Sequence, residues 1–168
     1  MSQTAHPSHP QHALDMPEYA ITIPRPHSVV LGFVKDDLPG VAAINAAVHA
    51  IEHRIVFRWH LSVLVEAELP SAHALPDAVE QGAILDVQAQ LASLLEADGQ
   101  AVWLARHYHD GAWELLWRVH DVRGAQAQLN ALIDAGTHLR PFSYKLQDDP
   151  NWQLAEDELQ QTTSTPSN

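Results

Sequence analysis

Between Phe57 and Val65 apolar residues occupy every second position, with Phe57, Trp59, Leu61, Val63 and Val65 on one side and Arg58, His60 and Ser62 on the other. That period of two predicts a strand with one buried face. Upstream, Tyr19, Ile21 and Ile23 alternate and then meet Pro24 and Pro26, which predicts a short edge strand, because proline cannot donate to a ladder. Val29 to Val34 is apolar on both faces and reads as a central strand covered from two sides. Asp36, Asp37, Pro39 and Gly40 form a turn, after which Val41, Ile44, Val48 and Ile51 recur at helical spacing. Pro70 and Pro76 bracket a linker, and Asp77 then caps a long helix carrying Ile84, Val87, Leu91, Leu94 and Leu95 up to Gly99.

Ala101 to His109 and Ala112 to His120 flank Asp110-Gly111, a dipeptide that favours a two-residue hairpin turn and so fixes the register. Tyr108 then faces Trp113, Arg106 faces Leu115, Leu104 faces Trp117 and Val102 faces Val119, making one side of the ribbon mostly core. The other side pairs His107 with Glu114 and Trp103 with Arg118. Asp121 caps a helix whose Val122, Ala125, Leu129, Leu132 and Ile133 share a stripe, closed by Gly136. Phe142, Tyr144 and Leu146 make one face of another strand. Asp149-Pro150 starts a last helix with Trp152, Ala155 and Leu159 turned inward. The expected fold class is α+β: a mostly antiparallel mixed sheet backed by helices, with a ferredoxin-like ββαβ arrangement in the C-terminal half and a closing helix. One domain is expected over residues 18–160, between a disordered His/Pro-rich tail at 1–17 and a disordered polar tail at 161–168.

Charge narrows the functional classes. Against 21 Asp and Glu stand 9 Lys and Arg, a formal net charge of -12 over 168 residues. The cations are scattered singly, so direct nucleic-acid contact and anionic membranes are excluded as expectations. Twelve histidines would bring the count to -12 + 12 = 0 if all were protonated, so solubility should fall as pH approaches about 5. The chain has no cysteine, which removes disulfides, thiolate nucleophiles and thiolate metal sites. Met1 to Pro17 lacks the basic and apolar runs of a signal peptide, and no apolar stretch is long enough to span a bilayer, so a cytoplasmic location is expected.

The sharpest chemical motif is His49-Ala50-Ile51-Glu52-His53, which fits the H-x-x-E-H zinc pattern. On a helix His49 and His53 stand one turn apart and share a metal, with Glu52 to activate water. An amphipathic helix with these three on its wet flank accounts for the same residues. His107 and His109 project from one face of a strand, with Glu114 across from His107, which is half of a metal site or an acid–base pair. A cross-strand pair stabilising a hairpin is the plainer account. Asp36-Asp37 and Asp148-Asp149 sit where turns and caps require aspartate. Phosphate-binding, dinucleotide, nucleophile-elbow and calcium-loop spacings are absent from the sequence. Of the five tryptophans, Trp103 is set apart by its place opposite the core side of the hairpin.

Gly99 to Leu159 resembles the C-terminal part of the bacterial domain of unknown function 695 family, through the hairpin at Asp110-Gly111, the helix, the Phe142, Tyr144, Leu146 strand and the segment Asp148-Asp149-Pro150-Asn151-Trp152. The resemblance extends more faintly back to about Ser28. It carries over no catalytic residues; some members are joined to a domain related to inhibitors of a ribonuclease, which implies regulation by protein contact. The expectation is therefore a noncatalytic protein-binding or regulatory module without cofactor, using Trp103, Arg118, His107 and Glu114 to meet a basic protein partner such as a nuclease or toxin. The rival is a small His/carboxylate metal-dependent hydrolase built on His49, Glu52 and His53, or on His107, His109 and Glu114.

Overall fold

The computed structural model describes residues 21–69 and 74–163. The expected tail at 1–17, Tyr19, part of the Pro70 to Pro76 linker and the last five residues lie outside them. The elements are β1 (Ser28–Lys35), β2 (Leu38–Asn45), 3-10 turns at Ala46–Ala50 and Arg54–Phe57, β3 (Trp59–Glu66), α1 (Ala78–Leu95), β4 (Ala101–His109), β5 (Ala112–Val119), α2 (Val122–Ala135), β6 (Ser143–Asp148), a 3-10 turn at Gln153–Ala155, and α3 (Glu156–Thr163). The six strands form one sheet in the order β1-β2-β4-β5-β3-β6, and every pairing is antiparallel. The α+β class is therefore as expected, with β3 lying between β5 and β6.

Two hydrophobic layers hold the sheet. On one face Ile84, Val87, Leu91 and Leu95 of α1 and Ala125, Leu129 and Leu132 of α2 pack on Leu61, Val63 and Val65 of β3 and Trp113, Leu115, Trp117 and Val119 of β5. The Asp77 and Asp121 side chains cap these helices, accepting from the backbone N–H of Glu80 and Gly124, and Gly136 closes α2 in the left-handed conformation. On the opposite face Ala42, Ile44, Val48, Ile51, Phe57, Val102, Leu116, Trp152 and Ala155 form a second cluster. Ile21 and Ile23 pack against it without forming the expected edge strand.

Four further expectations change. The strand at Val29 to Val34 is an edge strand: Val30 and Val34 are exposed while Leu31 and Phe33 are half-buried. The covered strand is β2, where a helix was expected from Val41. Apolar residues on both faces of a buried strand satisfy helical spacing by accident, and the Asp36-Asp37 turn, with φ of 52° and 60°, folds β2 directly back on β1. The Phe33 ring lies over Gly40 of this hairpin, where an added Cβ would collide with it unless the ring moved. Third, Leu104 is a bulge: Trp103 pairs with Trp117 and Ala105 with Leu116, so Arg118 faces Val102 instead of Trp103. One extra residue inverts the parity of the strand beyond it. Finally, α3 runs to Thr163, three residues into the tail expected from 161, and among the described residues no helix is long and apolar enough to cross a membrane.

Candidate functional site

The alternation that places Leu61, Val63 and Val65 under the helices turns His60 and Ser62 to the other face of the sheet. There they meet polar residues of neighbouring strands. Lys145 pairs across from Ser62, Gln147 from His60, and His107 from Glu114. The second apolar layer covers only part of this face. The remainder, walled by Phe33 and Lys35 of the β1–β2 hairpin and by Asp157, Glu158 and Gln161 of α3, is a cleft of about 750 Å³.

The covered end of the floor is fixed by Arg118, which is 0% exposed. Its Nε donates to the Phe57 carbonyl, Nη1 to Asp149 Oδ2 at 2.9 Å and to His60 Nδ1 at 3.1 Å, and Nη2 to the carbonyls of Arg58 and Asp149. Those bonds use all the donors of a guanidinium. Because Arg118 cannot accept, His60 Nδ1 must, which leaves the His60 imidazole neutral with its proton on Nε2. Burial first and the Arg118 charge second bring its pKa down to about 4. Asp149 also accepts from the backbone N–H of Gln153 and Leu154, so it caps the 3-10 turn that launches α3. The helix expected directly after Pro150 instead begins at Glu156, after a buried Trp152 at φ 58°.

In the open part, Ser62 Oγ donates to Glu114 Oε1 at 2.6 Å. His109 stacks on Phe33 and is bonded through Nε2 to the Lys35 carbonyl. His107 Nε2 stands 3.6 Å from Glu158 Oε1, a charge-pair distance too long for a hydrogen bond. Both His107 Nε2 and Glu158 Oε2 are buried without a hydrogen-bond partner. Burial pushes the Glu158 carboxyl up to about 7, with Asp157 and Glu114 adding to the rise. Burial lowers His107 despite the nearby carboxylates of Glu114 and Asp157.

The structure thus gathers His107, His109 and Glu114 in one cleft and removes the other two binding candidates from solvent. Trp103, at 5% exposure, lies in the helix-side core with its indole N–H bonded to the Ala105 carbonyl, and Arg118 is wholly internal. The zinc motif loses its α-helix: His49 lies in the 3-10 turn Ala46–Ala50 with Nε2 bonded to Thr162 Oγ1 of α3, while Glu52 and His53 lie exposed in the following turn. Among the described residues no three His, Asp or Glu side chains are grouped so as to hold a metal. His60 and Glu158 are the site residues that strand and helix patterns did not single out. Glu158 nevertheless falls on the inward stripe of Ala155, Leu159 and Thr162, where a carboxylate is out of place.

Fold and cleft together define an antiparallel α+β sheet protein with a polar pocket between its sheet and its C-terminal helix. Residues 31–159 match the model described as a family of unknown function, DUF695, and the chain belongs to that family. No curated protein and no solved structure matches it.

Proposed function

We propose that the protein is a noncatalytic binding module with a regulatory role, and that it takes a basic segment of a partner protein, such as a nuclease or toxin, into the cleft between the sheet and α3. The observation that carries this reading is the convergence of Glu114, Asp157 and Glu158 on one cleft in a chain of net charge -12. Placing His60, Ser62, His107 and Glu114 on interior strands costs stability that apolar residues would not, and such departures from a packed core mark sites. Lys35 and Lys145 stand at the rim and would orient an incoming segment by repulsion. A cytoplasmic location suits this role. The connectivity β3-α1-β4-β5-α2-β6, with order β4-β5-β3-β6, supports a ferredoxin-like reading of that portion, with the β1–β2 hairpin added beside β4.

Calorimetric titration with an arginine-rich peptide and a glutamate-rich control tests the reading. The basic peptide should bind, weaken with salt, and lose about tenfold in affinity when Glu114→Gln and Asp157→Asn are combined. No binding at low salt, or equal binding by the double variant, would overturn it.

One observation favours a hydrolase reading different from the metal-dependent one expected on His49, Glu52 and His53 or on His107, His109 and Glu114: a neutral His107 beside the Glu158 carboxyl, which titrates near neutrality, is an acid–base pair. Turnover of activated esters or phosphodiesters that His107→Gln abolishes would establish it; no turnover across such a panel would count against it.

A further inference from the structure

We propose that the cleft seats one organic cation, an amine or guanidinium such as a lysine or arginine side chain carries, and that this cation replaces a proton carried by the buried Glu158 carboxyl beside His107. The inference rests on the binding-module reading and names the group that the cleft recognises.

Glu158 is 6% exposed and lines the cleft beside Asp157 and Gln161, so its unpartnered Oε2 is a buried acceptor adjoining a ligand-sized space. An ionised carboxylate in that state is costly unless a charge and hydrogen-bond donors reach it. The protein supplies neither in full. Around Glu158 stand His107 of β4, Glu114 and Arg118 of β5 and Asp157 of its own helix. Arg118 has spent its N–H groups on Phe57, Arg58, Asp149 and His60. Around His107 stand Glu114, Asp157, Glu158 and Lys35 of β1, and Lys35 is exposed at the rim. Two further carboxylates close to Glu158 make its ionisation harder still, so in the empty cleft a proton does the work of the missing cation. The titration of Glu158 at about 7 accords with this.

An incoming ammonium or guanidinium offers what the proton offers, a positive charge, and adds several N–H donors at once. It attracts Glu114 and Asp157 as well. The exchange balances simply: the Glu158 carboxyl loses its proton to solvent, the resulting carboxylate accepts from the ligand N–H groups, and the total charge of the complex is that of the empty site. Binding should accordingly be proton-linked. Affinity should rise with pH up to about 7 and level off above it, because no proton then remains to be displaced.

The experiment is calorimetric titration of the full chain with N-acetyl-arginine amide and with the arginine-rich peptide, each at about pH 6 in two buffers of different ionisation enthalpy. Close to one proton should be released per bound cation. Glu158→Gln should bind at least tenfold more weakly and release none, its circular dichroism remaining that of the parent. As a check that does not depend on a variant, the Glu158 side-chain carboxyl signal in carbon NMR should titrate at lower pH in the complex than in the free protein. Peptide binding without proton release, or with release unchanged in Glu158→Gln, overturns the exchange and leaves the binding-module reading in place. Failure of both probes to bind overturns the two together.

Discussion

Two titratable residues of the cleft pull stability in opposite directions with pH. His60 is held at about 4 against an ordinary 6.5, so the folded chain binds fewer protons than the unfolded one, and stability is lost as pH falls from 6.5 through 4. Glu158 is held at about 7 against 4.5, so the folded chain binds more protons, and stability is lost as pH rises from 4.5 through 7. At about 1.4 kcal/mol per unit, the Glu158 loss is roughly 3 kcal/mol by pH ~8. Urea unfolding of Glu158→Gln at pH ~5 and ~8 should show that loss largely gone. The same slope in variant and parent would refute it. His60→Gln, whose amide oxygen can accept from Arg118, should flatten the acid limb instead. The site was half legible at this scale. His107 and Glu114 follow from a turn dipeptide that fixes register, whereas Trp103 was misread because a bulge at Leu104 carries no unmistakable residue type and yet turns every side chain beyond it.

Among the elements, α3 and the turn before it depend on Asp149, which holds Arg118 and caps Gln153 and Leu154 together. Asp149→Ala leaves a wholly buried guanidinium without its counter-charge and should cost about 3–5 kcal/mol. The midpoint of chemical denaturation will read this, and a loss below ~1 kcal/mol would show that Arg118 finds another partner. The β1–β2 hairpin depends on the close approach of Phe33 to Gly40. Gly40→Ala should cost about 1–3 kcal/mol by overpacking, and Phe33→Leu in the same chain should recover part of it. Loss in the double variant equal to the sum of the singles would place the strain elsewhere. α1, α2, β3 and the β4–β5 hairpin were legible from caps, periods and turn residues. β2 was not, since a strand buried on both faces leaves no polar alternation to betray its period.

For the molecule as a whole, net charge governs solubility, and the histidine count overstates how fast it changes. His60 and His107 resist protonation through burial, so the folded chain loses negative charge on acidification more slowly than a count of twelve histidines implies. Electrophoretic mobility of His60→Gln should therefore track the parent between pH ~7 and ~5. A variant that gains one positive charge fewer over that interval would show that His60 titrates normally.

What the sequence determined by itself was the charge, by simple counting, and what neighbours a few residues apart carry: the caps of α1 and α2, the register of the Asp110-Gly111 hairpin as far as the Leu104 bulge, the α+β class and the family resemblance. Only the tertiary structure decided that β3 lies between β5 and β6, that Arg118 is internal, and that His60, His107, Glu114 and Glu158 share a cleft. Those residues come from three strands and a helix, over a span of 99 positions from His60 to Glu158. Burial and the field of distant charges, which give a histidine or a glutamate its chemistry, exist only once the chain has closed on itself.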